Sequence, residues 1–339
     1  MKKMTILIII ALLLLISINP SKINILKNLN VSAENVKEVN SIDTVDKVRG
    51  IIYKDKLCVL DGNKLIILNE NGEEEYSQDI NLENSSINID NYIDIINKDN
   101  NRCYSIDESG KVKFSMNVSQ ETFLYKSINE YVFVSVSESD TNEILKIFNN
   151  DGELNNKIEI DGNVTNINRL DQYILVSYVS ITDKIENKIV IYDENGNLKD
   201  ETTFNDIVLD LLIIDNDVYV VLENSVEILD QNLKSIKTIN LGNISSFEKG
   251  SEDTIFITDS TGKLGYIKDK KYKEIKTNGE KFDVEGINDT FILYSDNVIY
   301  SDKLNKIEEF DSKISDIKSL GKTHIAVFLD NSIKLFKLE

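Results

Sequence analysis

The feature that most constrains this chain is a phrase that keeps returning. In "KIVIYDENGNLKDE", Lys188 to Glu201, two runs of alternating apolar residues flank an acidic turn that ends in Gly196. The phrase stands also at "KLIILNENGEEEY" from Lys64, "RCYSIDESGKVKF" from Arg102 and "ILKIFNNDGELNNKI" from Ile144. Weaker forms follow at "SVEILDQNLKSIK" from Ser225, "KLGYIKDKKYKEI" from Lys263 and "NVIYSDKLNKIEEF" from Asn297, and the last, "SIKLFKLE" from Ser332, runs into the C-terminus. A second phrase, a polar pair and then a β-rich run, precedes each copy. It begins at Asp55, Asn91, Asn129, Asp171, Asn216, Glu252, Asn288 and Lys322, at spacings of 36, 38, 42, 45, 36, 36 and 34 residues. Self-similarity at such a period is the mark of a repeat architecture.

Each copy reads as four short strands, here lettered A to D. The run before the second phrase is A, for example "VRGIIY" or "ISDIKSL"; the second phrase is B, and the first phrase supplies C, the turn and D. Val, Ile, Tyr and Phe at alternate positions suit strands. Asn-Gly, Asp-Gly and Ser-Gly supply the positive φ that a tight hairpin needs. No stretch after Ala33 shows long helical periodicity. Four-stranded meanders of about 40 residues predict an all-β chain, a β-propeller of four-stranded antiparallel blades. A lone blade has two open edges and no sufficient core, and packing around an axis buries its faces. The count predicts eight blades, with seven and a terminal cap as the alternative. The eighth copy has A (Ile314 to Leu320), B and C but no room for D. The segment "NVKEVNSIDT", Asn35 to Thr44, has alternating apolar residues and no blade of its own, so it is expected to supply that strand and close the ring. The chain thus divides into residues 1–33, a signal anchor or signal peptide with linker, and 34–339, a single propeller domain.

From about Val48 onward the repeats resemble the PQQ-like, or quinoprotein-like, propeller superfamily in a degenerate form, and "IYDENGNL" resembles the C–D turn of those repeats. The resemblance implies the fold. It does not carry the quinone, because the repeating Trp of that family is absent and the chain has no neighbouring cysteines. No cofactor is expected. The chain also resembles membrane-anchored propellers of unknown function from low-GC bacteria, and its wealth of Asn, Ile, Lys and Asp fits such a Gram-positive source.

The N-terminus opens "MKKMTILIIIALLLLISINPSK", with an apolar run from Met4 to Ile18 that Asn19 and Pro20 stop. A run of about 15 residues is short for a spanning helix and long for a signal-peptide core. The reading is a hydrophobic helix retained as an anchor, with the body at the outer face of the cytoplasmic membrane. The alternative is secretion after cleavage behind Val31-Ser32-Ala33. Net charge is −20, and because the first 33 residues hold four lysines and no acid, the rest carries −24. Such a body repels nucleic acid and anionic membrane surfaces. Cys58 and Cys103 sit in strand-like runs and are expected to be buried free thiols.

Little in the chain speaks for catalysis. The one histidine, His324, lies in "THIAVF" and reads as a packed strand residue, which removes Ser-His-Asp, Cys-His and His-rich zinc sites. No EF-hand, Walker or dinucleotide pattern occurs. In a meander the B–C and D–A connections share one face of the ring. The B–C turns contain or abut Asp61, Asp99, Glu138, Asp140, Asp183, Glu186, Glu223, Asp259, Asp296 and Asp330, an acid in every copy. Such a rim would steer a cationic partner or collect divalent ions; the plainer reading is local turn capping by Asp. The longest B–C loops, "SESDTNE" and "SITDKIEN" in copies three and four, are the best candidates for a specific contact. The expected function is an extracytoplasmic, non-enzymatic, monomeric scaffold for a protein or cell-wall component. Two rivals are a carboxylate-dependent glycosidase or lyase acting on envelope polysaccharide, and a sensor dependent on a divalent metal.

Overall fold

The computed structural model describes residues 35–339 apart from 45–48, 62, 81–84, 90, 120, 140–141, 150, 182–183, 251–252, 278 and 288–289. The apolar run Met4 to Ile18 and the cleavage site behind Ala33 lie outside the described residues. Eight four-stranded antiparallel sheets follow one another around a ring. Blade 1 spans Arg49–Asp79, blade 2 Ser85–Asn117, blade 3 Thr122–Ile160, blade 4 Asn163–Phe204, blade 5 Val208–Asn240, blade 6 Ile244–Glu274 and blade 7 Asp283–Glu309. Blade 8 takes A from Asp316–Leu320, B from His324–Phe328 and C from Ser332–Leu338. Its D strand is Val36–Asp43, paired antiparallel with the C strand from Val36↔Leu338 to Asp43↔Ser332. The eight-bladed ring closed by an N-terminal strand is thus present, and the seven-bladed alternative falls.

Apolar packing explains why the sequence needs a ring. Among the described buried residues, eight apolar clusters form, and each joins consecutive blades. One joins the two ends of the chain: Leu57, Val59 and Leu68 of blade 1 pack on Leu320, Ala326, Phe328, Ile333 and Leu335 of blade 8. On the other side of the same strand, Cys58 packs with Ile93 and Ile95 of blade 2. A B strand therefore has neighbours on both faces, so its sequence is a continuous apolar run rather than a half-polar alternation. Contacts between A strands of adjacent blades place those strands innermost.

The C–D turns explain the recurring glycine. In blade 4, Asp193 Oδ1 accepts the amides of Asn195 (2.9 Å) and Asn197 (2.8 Å), and the Gly196 amide donates to Asp193 O at 2.9 Å. The same five-residue turn forms at Asn69, Asp107, Asn149 and Asp230. Its fourth residue lies in the left-handed region, φ 77° at Gly72 and Gly196, where a side chain is strained. The turn also presses on the D strand of the preceding blade. A Cβ on Gly196 would stand 2.6 Å from Asn156 Nδ2, and one on Gly72 would stand 2.7 Å from Asn40 Nδ2. Asn40 belongs to the closing strand, and its side chain donates to Asn71 O at 2.9 Å. It follows a bulge at residue 39, as Asn156 follows one at residue 155. The N-terminal strand thus repeats the D-strand plan in its bulge and in its contact with the next turn. Cys58 and Cys103 are buried and unbridged, and burial pushes both thiols up to about 12.

Candidate functional site

The ring has two faces, one made of A–B and C–D turns and the other of B–C turns and D–A links. The A strands begin on the second face. In blades 3 to 6 each of them carries a bulge near its start, at residues 123, 165, 209 and 245. A bulge redirects the side chains beside it and bends the strand. There Asn166 donates through Nδ2 to Asp210 Oδ1 at 2.7 Å, joining blades 4 and 5. Asn168 donates to Leu211 O at 3.2 Å, and Lys126 of blade 3 donates to Asn168 Oδ1 at 3.4 Å. Asp94, buried in blade 2, accepts the Ser127 amide at 2.6 Å. Asp94, Lys126, Asn166 and Asp210 border a cavity of about 450 Å³ at the inner end of blades 2 to 5, with Ser86, Asn88 and Thr165 as further polar lining. Burial raises the Asp210 carboxyl above its ordinary value.

A second polar cluster spans the inner strands of blades 6, 7 and 8. Lys318 Nζ stands 3.0 Å from Glu248 Oε1, 3.5 Å from Asp316 Oδ1 and 4.0 Å from Glu285 Oε2. Glu285 is 4% exposed, and its Oε1 accepts the Ser319 amide while its Oε2 has no hydrogen-bond partner. Burial, and then the charge of Glu248, pushes the Glu285 carboxyl well above the carboxylate range. Burial pulls the Lys318 ammonium down, but Glu248, Glu285 and Asp316 outweigh it and hold the lysine charged. Lys318 thus stands closest to Glu248, and the buried Glu285 carboxyl is pushed toward its protonated form. The cluster joins the blade that closes the ring to the two before it.

Eight of the ten rim acids lie among the described residues, at or beside B–C turns, and they do different work. Asp99, Glu138, Glu223, Asp296 and Asp330 are exposed at or beside B–C turns, and Asp61 ends the B strand of blade 1. Glu186 lies on the C strand of blade 4, 3.9 Å from Lys184. Asp259 is used locally: its Oδ1 accepts the amides of Thr261 and Lys263 and the Thr261 hydroxyl, the same turn that closes the C–D hairpins. Asp140 and Asp183 lie outside the described residues. Among the described residues no group of three or more His, Cys, Asp or Glu side chains is set to hold a metal ion. His324 is buried, 3.6 Å from Glu70 of the blade 1 C–D turn.

What the rim reading missed is apolar. Ile181 and Ile185 face each other across the tip of the blade 4 B–C hairpin, whose strands run Tyr173–Ile181 and Ile185–Tyr192. They are 50% and 67% exposed. Ile207, on the link into blade 5, and Leu209, the bulged residue of the blade 5 A strand, are 52% and 41% exposed. Asn187 pairs with Phe204 and donates to Asp206 O at 3.1 Å, which brings the hairpin beside that link. The other large exposed apolar residues, Val39, Val112, Leu154, Leu198 and Ile236, lie on the outer D strands of five separate blades. The sequence signal was present in the two isoleucines that bracket "TDK", but their exposure depends on a hairpin that outruns the ring.

A family profile described as a family of unknown function (DUF5711) matches residues 16–144. No curated protein is similar to the chain at a significant level. Among solved structures, BamB from Moraxella catarrhalis is similar with a TM-score of 0.58 at 11% identity, over 90% of this chain and 98% of that one. The WD40 domain of SCAP from fission yeast gives a TM-score of 0.58 at 9% identity over 90% and 98% of the two chains. BBS1N, solved in complex with ARL6DN, gives 0.50 at 10% identity over 90% and 97%. At these identities the likeness is one of fold: all three share the propeller.

Proposed function

We propose that this chain is a non-enzymatic protein-binding propeller held at the outer face of the cytoplasmic membrane, with its B–C face as the contact surface. The carrying observation is the blade 4 hairpin, whose strands of nine and eight residues stay paired out to Ile181↔Ile185. In the neighbouring blades the same two strands are shorter, seven and seven residues in blade 3 and six and five in blade 5. A hairpin that projects past its neighbours offers a rigid contact that the ring itself does not need, and a rigid scaffold presenting variable loops is a common plan for recognition. Orientation supports the reading. The closing strand begins at Val36, opposite Leu338, the end of the blade 8 C strand that faces the A–B and C–D turns. A tether through the apolar run Met4 to Ile18 would thus reach the ring on that side and leave the B–C face pointing away from the membrane. The complex of BBS1N with ARL6DN shows that a propeller of this general shape can hold a protein partner.

Photo-cross-linking in cells tests the reading. A photoreactive residue at Lys184, on the hairpin tip, is expected to capture a protein in the envelope fraction, and one at Asp151, on the blade 3 C–D turn, is not. Adducts from Asp151 alone, or from neither position, would overturn it.

A further inference from the structure

Four large aliphatic side chains of the B–C face are gathered where blade 4 meets blade 5. Ile181 and Ile185 are cross-strand partners. The blade 4 C–D ladder ends at Asn187↔Phe204, and the Asn187 side chain reaches on to Asp206 O, so the strand end that carries Ile185 lies beside the link that carries Ile207. Val208 pairs with Leu222, so Ile207 and Glu223 are the residues that flank the last pair of this ladder, and Leu209 follows as the bulge that leads to Asp210 at the cavity. Exposed aliphatic residues scattered singly need no explanation, whereas a contiguous group rimmed by polar residues marks an interaction site. The apolar residues on the outer D strands are scattered in that sense, one to a blade; these four are not.

The rim of the patch chooses the partner. Glu186 follows Ile185, Asp206 precedes Ile207 and Glu223 follows Leu222, the partner of Val208, and Lys184 is the base at the hairpin tip, 3.9 Å from Glu186. The whole chain carries −20, so the field at this face favours a cation over an anion at any distance within the screening length. We infer that the patch of Ile181, Ile185, Ile207 and Leu209 docks a basic, amphipathic segment of a partner protein, with large apolar side chains covering the isoleucines and Lys or Arg side chains meeting Glu186, Asp206 and Glu223. This rests on the reading of the chain as a protein-binding scaffold and adds the chemistry of what it binds. An anionic lipid surface has matching apolar chains but the wrong headgroup charge.

The test uses the full chain and a short synthetic peptide of alternating Lys and Leu, with a Glu and Leu peptide and phosphatidylglycerol vesicles as comparisons. The Lys and Leu peptide binds saturably and less tightly at high salt. Ile185→Asp and Ile207→Asp each weaken it about tenfold, the loss expected for uncovering one aliphatic side chain, while the melting temperature stays put. Glu186→Lys with Glu223→Lys weakens it as well and flattens the salt dependence. Binding that ignores these substitutions, equal binding of the Glu and Leu peptide, or vesicle binding through the same isoleucines would each overturn the inference. Cross-links from Lys184 that persist in the Ile185→Asp, Ile207→Asp chain would leave the scaffold reading standing and remove this one; their absence in the unaltered chain would remove the scaffold reading itself.

Discussion

Joining the two ends of the ring covalently gives an effect large enough to calculate. The closing strand pairs Ser41 with Lys334, and the Thr44 amide donates to Asn331 O at 3.0 Å. Alternation from that bond makes Ser41 and Lys334 a non-hydrogen-bonded pair, whose Cα atoms stand about 4.5 Å apart in an antiparallel ladder. That separation lies within the range a disulfide spans, and the two native thiols are buried and slow to compete. In Ser41→Cys, Lys334→Cys the bridge closes a loop of about 290 residues, nearly the whole propeller. The loop-entropy relation then gives about 5–6 kcal/mol. With an unfolding entropy of about 0.6 kcal/mol/K for a chain of this size, the oxidised form melts about 8–10 °C above the reduced one. The assay is a pair of thermal scans, with and without reductant, on material whose bridge is verified by mass. If the bridge fails to form, or the two forms melt together, the N-terminal strand does not close the ring.

Two further outcomes follow from the inner strands and the turns. Glu285→Gln removes a carboxyl whose folded value lies above its unfolded one, so its contribution in the parent is intact at low pH and is lost as pH rises through the folded value; the variant melts like the parent near pH 4 and above it by a margin that grows toward pH 8, and an equal change at both pH values would contradict the upward shift of Glu285. Gly110→Ala places a methyl 2.1 Å from the Tyr76 ring at φ 75° and costs about 2–4 kcal/mol in denaturant titration, whereas Gly279→Ala, at φ 87° with nothing within 4 Å, costs about 1 kcal/mol; equal losses would refute the role of the turn glycine as a seat for the neighbouring blade.

The repeat was readable because the blades share an apolar strand with neighbours on both faces and, in blades 1 to 5 and 7, a five-residue turn with a left-handed fourth position, while blade 6 turns in two residues at Asp269 and Lys270. Where Gly gives way to Leu233 or Leu304, at φ 54° and 63°, the turn survives and only the letter changes, which is why the later copies looked degenerate. The closing strand was readable from what blade 8 lacked, and Asn40 completes the case by repeating Asn156. The inner clusters were not readable. Glu248, Glu285 and Lys318 come from three blades, and no local pattern says which positions of separate strands meet; the available hint was charge at alternate positions of short inner strands, Asp283 with Glu285 and Asp316 with Lys318. The rim acids were readable only as turn residues, because a carboxylate committed to its own turn, as at Asp259, looks identical in sequence to one left for a partner. The isoleucine patch needed the strand register, since Ile181 and Ile207 read as ordinary strand residues until the hairpin is seen to overrun the ring.

A footprint on living cells bears most directly on whether the B–C face is the working surface. One added cysteine at a time, Glu223→Cys on that face or Asn195→Cys on the opposite one, is labelled with a membrane-impermeant maleimide in intact cells and in purified protein, with the buried Cys58 and Cys103 of the unaltered chain as background. The account expects both to be reached without lysis, with Glu223→Cys slowed several-fold in cells and Asn195→Cys unchanged. Labelling of both only after lysis, or at their purified rates in cells, would contradict it.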